Sequence, residues 1–219
     1  MGCILPGRRE TSSPLGTRRL TERCRSPWLR YREREGDGVC LDQDVESVES
    51  PWFQVRAATA EDIPTLLDLW ESVAAEGRWI GTEVPIAREA RASRWKTTYF
   101  DSDAGCMFVA ATTKGIVASA GVQNDRGLVD LGMLVERRHR REGIGSQLLQ
   151  ACIDWAERAR AHKMILQVWP HNEAAIRLYE KFGFEREGYR RAHYRRKTGE
   201  LWDVVEMGLV LGDVARENG

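Results

Sequence analysis

One transition constrains this chain more than any other feature. Eight mostly apolar residues, 128–135 (LVDLGMLV), run into RRHRREGIG and then into an amphipathic helical stripe. The apolar run predicts a strand in the middle of a sheet rather than at its edge. Behind it, Ile144, Leu148, Cys152, Trp155 and Ala159 recur at helical spacing. Between the two, four arginines and a histidine crowd into 137–141, and Gly143 and Gly145 flank Ile144. A strand that enters a glycine-containing turn and opens a helix leaves the first amides of that helix without internal partners, at the positive end of the macrodipole. Such an end accepts a phosphate. Gly143 and Gly145 would free the turn's dihedrals and let an anion approach, and Arg140 and Arg141 would add charge-assisted hydrogen bonds. The same residues also describe an ordinary turn beside a solvated charge run. A Walker loop is excluded because no Gly-Lys-Ser/Thr follows, and a dinucleotide fingerprint because its third glycine is missing.

The elements around this transition read in order. A short strand over 52–56 precedes Thr59-Ala60-Glu61-Asp62, a helix start with a capping Thr or Asp. Ile63, Leu66, Leu67, Trp70 and Val73 then form one helical stripe. Residues 76–85 (EGRWIGTEVP) form an irregular loop, and a second helix spans 88–97. Segments 106–112 and 116–122 make a hairpin around Lys114-Gly115. After the glycine turn and its helix, 164–169 (MILQVW) is a strand. Asn172 caps a helix carrying Ala175, Leu178, Tyr179 and Phe182, and Gly183 closes it. Strands from Phe184 and over 204–211 complete the domain. The order predicts an α/β (α+β) fold, a mixed sheet with helices on both faces.

Residues 1–50 are unlike the rest: through Arg34 there are nine arginines against three acids, with three prolines and no apolar periodicity. They are expected to be a poorly ordered extension, with the domain over 51–213 and a tail over 214–219. Lys+Arg and Asp+Glu are both 33 in 219 residues, so no global field recruits nucleic acid or an acidic membrane. The segment 189–197 (YRRAHYRRK) interleaves arginine with tyrosine, a pattern that can mark RNA binding, but its place at a hairpin favours a solvated strand–turn edge. No apolar run approaches the ~20 residues of a membrane helix. Five cysteines without metal-ligand spacing fit a reducing compartment, so the chain reads as cytoplasmic. The four histidines have no i,i+4 partner, and no metal site is expected.

Two motifs narrow the reading. Arg140-x-x-Gly143-x-Gly145, after a strand and opening a helix, resembles the acyl-CoA pyrophosphate loop of the GNAT superfamily of N-acetyltransferases. About thirty residues on, 168–184 (VWPHNEAAIRLYEKFGF) is similar to that family's other hallmark: a strand, an Asn, an Ala-x-x-x-Tyr helix and a Gly-Phe ending. The resemblance covers roughly residues 55–211. It implies a mostly antiparallel sheet whose two central strands splay apart to hold acetyl-CoA. It also implies acetyl transfer to a primary amine of a small molecule or of a protein or peptide N-terminus, by direct attack and without a metal. A homodimer is a common arrangement in the family.

By that resemblance, backbone around Met133, Leu134 and Val135 bonds the pantetheine arm, and the N–H of Val135 polarises the thioester carbonyl. The stretch Arg140, Arg141, Glu142, Gly143, Ile144, Gly145 and Ser146 holds the pyrophosphate. Asn172 either caps its helix alone or also bonds pantetheine. Tyr179 is the general acid for the departing thiolate: a phenol of pKa about 10 can protonate a thiol of about 8.5 if the site is dry. The general base is open among Glu83, Glu76 and Asp130, with Glu83 the first choice because its loop borders the acceptor site in the family. Trp79 and Trp95 either line that site or serve the core. The competing function is a catalytically silent acyl-CoA-binding sensor on the same fold.

Overall fold

The computed structural model describes residues 52–212; the extension expected over 1–50 and the tail expected over 214–219 lie outside the described residues. Seven strands form one sheet in the order β1-β2-β3-β4-β5-β7-β6. They are β1 (Gln54–Ala57), β2 (Gly105–Thr112), β3 (Gly115–Asp125), β4 (Leu128–Val135), β5 (Lys163–Val168), β6 (Glu185–Arg195) and β7 (Leu201–Val210). Four helices accompany them: α1 (Ile63–Ala75), α2 (Arg88–Trp95), α3 (Ile144–Arg158) and α4 (Glu173–Lys181). Every strand pair is antiparallel except β4 with β5. The α/β reading with a mixed, mostly antiparallel sheet is therefore met.

Strand alternation divides the core between the two faces of the sheet. Val129 and Leu131 of β4, Ala118 and Ala120 of β3 and Phe108 of β2 pack with Leu148, Cys152 and Trp155 of α3 and with Ile176 and Tyr179 of α4. On the other face Met107 and Val109 meet Leu66, Leu67 and Trp95, and Leu134 meets Leu69 and Val73. Trp95 is thus a core residue, which settles one of its two sequence readings. Before α1, the chain is locked by Asp62, whose carboxylate accepts from the Thr59 amide at 2.8 Å and pairs with Arg56 at 2.7 Å. Asn172 caps α4 by accepting from the Ala175 amide at 3.3 Å, and Gly183 leaves the helix at φ +87°.

The strands central to the argument part company. β4 and β5 pair only through Leu128–Lys163, Val129–Met164 and Asp130–Ile165, after which β5 stays with β7 as far as Val168–Val205. Residues 131–135 of β4 therefore face a gap in the middle of the sheet.

Candidate active site

The backbone lining the gap follows from strand parity. The Glu136 amide donates to the Val117 carbonyl at 2.8 Å, so in β4 the even-numbered residues bond β3 and the odd-numbered ones face β5. Met133 and Val135 present backbone groups to the gap. Leu134 does not, which corrects its place among the expected pantetheine contacts. On the opposite wall the Leu211 amide bonds the His162 carbonyl, so Gln167 and Trp169 are the β5-side residues whose backbone faces the gap. A pantetheine arm, with its two amides, can bond these edges in the manner of an added strand.

At the end of β4 a single 3₁₀ turn (Arg137–His139) leads to the glycine loop. Gly143 sits at φ +85° with open space where a side chain would be, and Arg141, a non-glycine, is also left-handed at φ +72°. These dihedrals turn the chain so that α3 starts with its N-terminus at the mouth of the gap. The Ser146 and Gln147 amides bond the Gly143 carbonyl at 3.0 and 3.2 Å. Ser146 is therefore not a free backbone donor, a second correction, which leaves the amides of residues 141–145 as the candidates for an anion. Ile144 itself is buried in the core. The Glu142 carboxylate pairs with His139 at 3.2 Å. Gly145 is needed for a different reason than expected: a Cβ there would stand 3.2 Å from Leu178 Cδ2, so it permits close packing of α3 on α4.

Arg140 departs furthest from expectation. Its Nε donates to the Val135 carbonyl at 3.0 Å, and its Nη1 and Nη2 grip the Glu76 carboxylate, Nη1 at 2.9 Å. Trp79 lies 5.4 Å from the guanidinium and donates to the same carboxylate at 2.8 Å. The guanidinium expected on the pyrophosphate instead ties the end of β4 to the loop after α1, while the neighbouring Arg141 side chain is exposed. This geometry also removes Glu76 from the bases. Burial alone would raise its carboxyl, but the hydrogen bonds from Arg140 and Trp79 hold it below the usual carboxylate range.

Glu83 is engaged as well. It accepts from the Lys197 amide at 3.0 Å and pairs with the Arg196 guanidinium at 3.3 Å. Arg196 belongs to the segment expected to be solvated, yet it is 6% exposed. It also donates to the Ile80 and Gly81 carbonyls at 3.2 and 3.4 Å and lies 4.3 Å from the Trp202 ring. Glu83 and Arg196 together pin the 76–85 loop to the β6–β7 turn. A carboxylate held this way is poorly placed to take a proton from an amine.

Asp130 is the remaining base candidate, and its surroundings differ. It is the last residue of β4 paired with β5, at the vertex of the gap. It borders a cavity of about 110 Å³ shared with Ile165, Gln167, Glu187 and Glu206. Among the described residues Glu187 pairs with Lys163 and Glu206 with Arg190, whereas Asp130 has no ion pair. Burial pushes its carboxyl up, with the Leu131 amide opposing. Two residues on, Gly132 is exposed and a Cβ there would meet nothing within 4 Å. A central strand thus carries an open well at Gly132, beside the Asp130 carboxylate, which is exposed at the surface even though the atoms packed around it raise it. Sequence reasoning missed Gly132; the signal was a glycine inside an otherwise apolar strand, which marks a close approach by something outside the strand.

Tyr179 lies on the other face. It is buried, packs against Phe184 at 5.8 Å between ring centroids, and burial drives its phenol well above its ordinary value. It therefore stays protonated across the working pH range, as a proton donor must. The gap thus has the buried Tyr179 phenol on one face of the sheet and the exposed Asp130 carboxylate on the other, with the start of α3 following the glycine loop at the end of β4, an arrangement suited to acyl-group transfer.

The sequence model of the acetyltransferase (GNAT) family matches residues 70–184, and the chain belongs to that family. It is 28% identical over 167 residues to the L-methionine sulfoximine/L-methionine sulfone acetyltransferase of Pseudomonas aeruginosa, covering 72% of this chain and 94% of that one. Among solved structures it superposes on a ribosomal-protein-alanine N-acetyltransferase from Brucella melitensis with TM-score 0.66 and 26% identity, covering 72% of this chain and 99% of that one. It also superposes on a phosphinothricin acetyltransferase from Sinorhizobium meliloti in complex with AcCoA, with TM-score 0.66 at 22% identity, covering 74% and 89%.

Proposed function

We propose that this acyltransferase moves the acetyl group of acetyl-CoA directly onto a primary amine, with Tyr179 as the acid and Asp130 as the base. The observation that carries the reading is the gap between β4 and β5, the one opening that Tyr179 and Asp130 flank from opposite faces. Acetyl-CoA supplies an activated thioester. The amides of residues 141–145 and Arg141 fit its pyrophosphate, and Met133 and Val135 fit its pantetheine arm. The Val135 N–H faces the gap and serves as the donor to the thioester carbonyl; losing such a donor typically costs about 10²–10³ in rate. Asn172 retains its side-chain NH₂ for pantetheine while its Oδ1 caps α4.

On the open face, the well at Gly132 admits the amine. An alkylammonium ion near pKa 10.4 must lose a proton before attack, and Asp130, exposed beside Gly132 and without an ion pair among the described residues, takes it. On the buried face, the Tyr179 hydroxyl gives its proton to the departing thiolate. The names of the relatives, a small amino-acid derivative in one and a ribosomal protein N-terminus in another, support small-molecule or peptide N-terminal amines as the acceptor class. The reading places the enzyme in the cytoplasm, in keeping with its odd number of cysteines.

Thiol release from acetyl-CoA, with a panel of amines and the full chain, tests it. Tyr179→Phe lowers kcat about 10²–10⁴-fold while acetyl-CoA affinity stays within a few fold. Asp130→Asn removes the acidic limb of the pH–rate profile. Full kcat in Tyr179→Phe refutes the acid, and an unchanged profile in Asp130→Asn refutes the base. Binding of acetyl-CoA with no amine acetylated would point to the sensor.

A further inference from the structure

Arg91 is an anomaly in this structure. Its Nε is the one buried side-chain nitrogen or oxygen among the described residues without a hydrogen-bond partner. Such groups are rare in folded proteins and call for an explanation. The guanidinium is held by packing: its carbon lies 4.7 Å from the Trp70 ring and 5.7 Å from the Trp95 ring, which meet edge to face at 5.4 Å. Nη2 donates to Thr82 Oγ1 at 3.0 Å. No carboxylate among the described residues forms an ion pair with it, whereas Arg88, one turn earlier on α2, holds both Asp68 and Glu71. Nη1 has no hydrogen-bond partner among the described residues and is not among the buried unsatisfied atoms, so it remains reachable from solvent. The chain has fixed a cation on two indoles and left its charge unanswered.

Its position gives the anomaly a use. Thr82 belongs to the loop that Arg196 and Glu83 pin beside the gap. Trp70 donates to Ser119 on β3, on the sheet face that carries Gly132. The Tyr99 hydroxyl fills the space over Gly121, the β3 partner of Gly132, on the same face. Arg91, stacked on Trp70, therefore lies on the sheet face that carries Gly132 and Asp130.

We propose that Arg91 receives an anionic oxygen of the acceptor, so that the amine acetylated here carries its own carboxylate, as a free amino acid does. The ammonium end meets Asp130 and the carboxylate meets the Nη1 edge of Arg91. The proposal rests on the reading of the well at Gly132 as the acceptor site. A charge-assisted hydrogen bond of this kind corresponds to about 10–100-fold in affinity.

The test offers the full chain, with acetyl-CoA, matched pairs of L-amino acids and their C-terminal amides: leucine, methionine, phenylalanine and glutamine. The wild type is expected to prefer the acid over the amide at least tenfold in kcat/KM. Arg91→Met should abolish that preference through KM, leave kcat on the amide within threefold, and keep the melting temperature, because an apolar side chain suits the two indoles. Equal or better use of the amide by the wild type overturns the proposal, as does a preference that survives Arg91→Met. Calorimetric titration of the CoA complex with the same pairs separates the two levels. Arg91-dependent binding of the acids without transfer sinks the catalytic reading and keeps the anion site. Absence of any acid binding sinks the anion site.

Discussion

Gly132 offers the sharpest perturbation, because two glycines that face each other across β3 and β4 should respond oppositely to the same substitution. Gly121 and Gly132 are register partners. A Cβ on Gly121 would stand 2.8 Å from the Tyr99 hydroxyl, whereas a Cβ on Gly132 meets nothing within 4 Å. A strand-interior glycine costs about 0.5–1 kcal/mol relative to alanine through backbone entropy. Gly132→Ala should therefore stabilise by about that amount, a rise of roughly 1–4 °C in Tm for a domain of this size. Gly121→Ala gains the same entropy but must displace Tyr99, and overpacking of this kind costs about 1–3 kcal/mol, so its Tm falls. Activity reverses the ranking for Gly132. A methyl group in the well removes space the amine requires, and one methylene in a substrate pocket is worth about 10–200-fold in kcat/KM. Thermal melts and steady-state thiol release with varied acceptor would read both. Acetyl-CoA KM should hold while acceptor kcat/KM drops, and Gly132→Val should deepen the drop. A fall in Tm for Gly132→Ala, or acceptor kinetics equal to wild type in Gly132→Val, would refute the assignment of the well.

Other outcomes follow from the same geometry. Arg196→Met strands the Glu83 carboxylate and frees the 76–85 loop; it should cost about 3–5 kcal/mol by urea titration and raise acceptor KM more than acetyl-CoA KM. Arg141→Gly relieves a left-handed non-glycine residue and should stabilise by about 1 kcal/mol while weakening acetyl-CoA, seen as a higher Tm with a higher acetyl-CoA KM. Asp62 is held below the usual carboxylate range first by its hydrogen bond from Arg56, and Glu76 is held low by Arg140 and Trp79 against its burial. Folded values below unfolded ones mean that this stabilisation is present above about pH 4 and is lost as pH falls through the lowered values. Tm measured from pH 6 downward should drop through that window, and Asp62→Asn should flatten the drop.

The fold was legible because its signals are local. Alternation, helical spacing, the Asn172 cap and the Gly183 terminus each act within a few residues, and each element is present in the order read, with bounds shifted by up to a few residues: the second helix stops at Trp95 instead of 97, and the last strand starts at Leu201 instead of 204. The glycine loop was legible for the same reason. What misled were side chains whose partners lie far along the chain. Arg140 reads as a phosphate ligand until Glu76, 64 residues earlier, is brought beside it. Glu83 reads as a loop acid with nothing to do until Arg196 arrives from the last hairpin, and the same contact turns a solvated arginine into a buried one. β4 reads as apolar nearly throughout, yet one face of it opens at Asp130 and Gly132 because β5 diverges; the splay came only from the resemblance, and its one mark in the strand itself is the glycine at 132. Gly145 reads as room for an anion, and only the packed α4 shows that its missing side chain also makes room for Leu178.

Arg140 has one further consequence. Its backbone belongs to the turn that leads into the donor-side loop, and its guanidinium holds Glu76 and Trp79 on the acceptor side. Under the proposed reading the two substrates thus address a shared element instead of independent halves. Any free energy by which a filled phosphate turn steadies this arginine must reappear as an equal preference of the acceptor for the filled enzyme, and the reverse. Donor and acceptor affinities measured apart will not multiply to the affinity of the ternary complex, and Glu76→Gln is where their product should come closest to doing so.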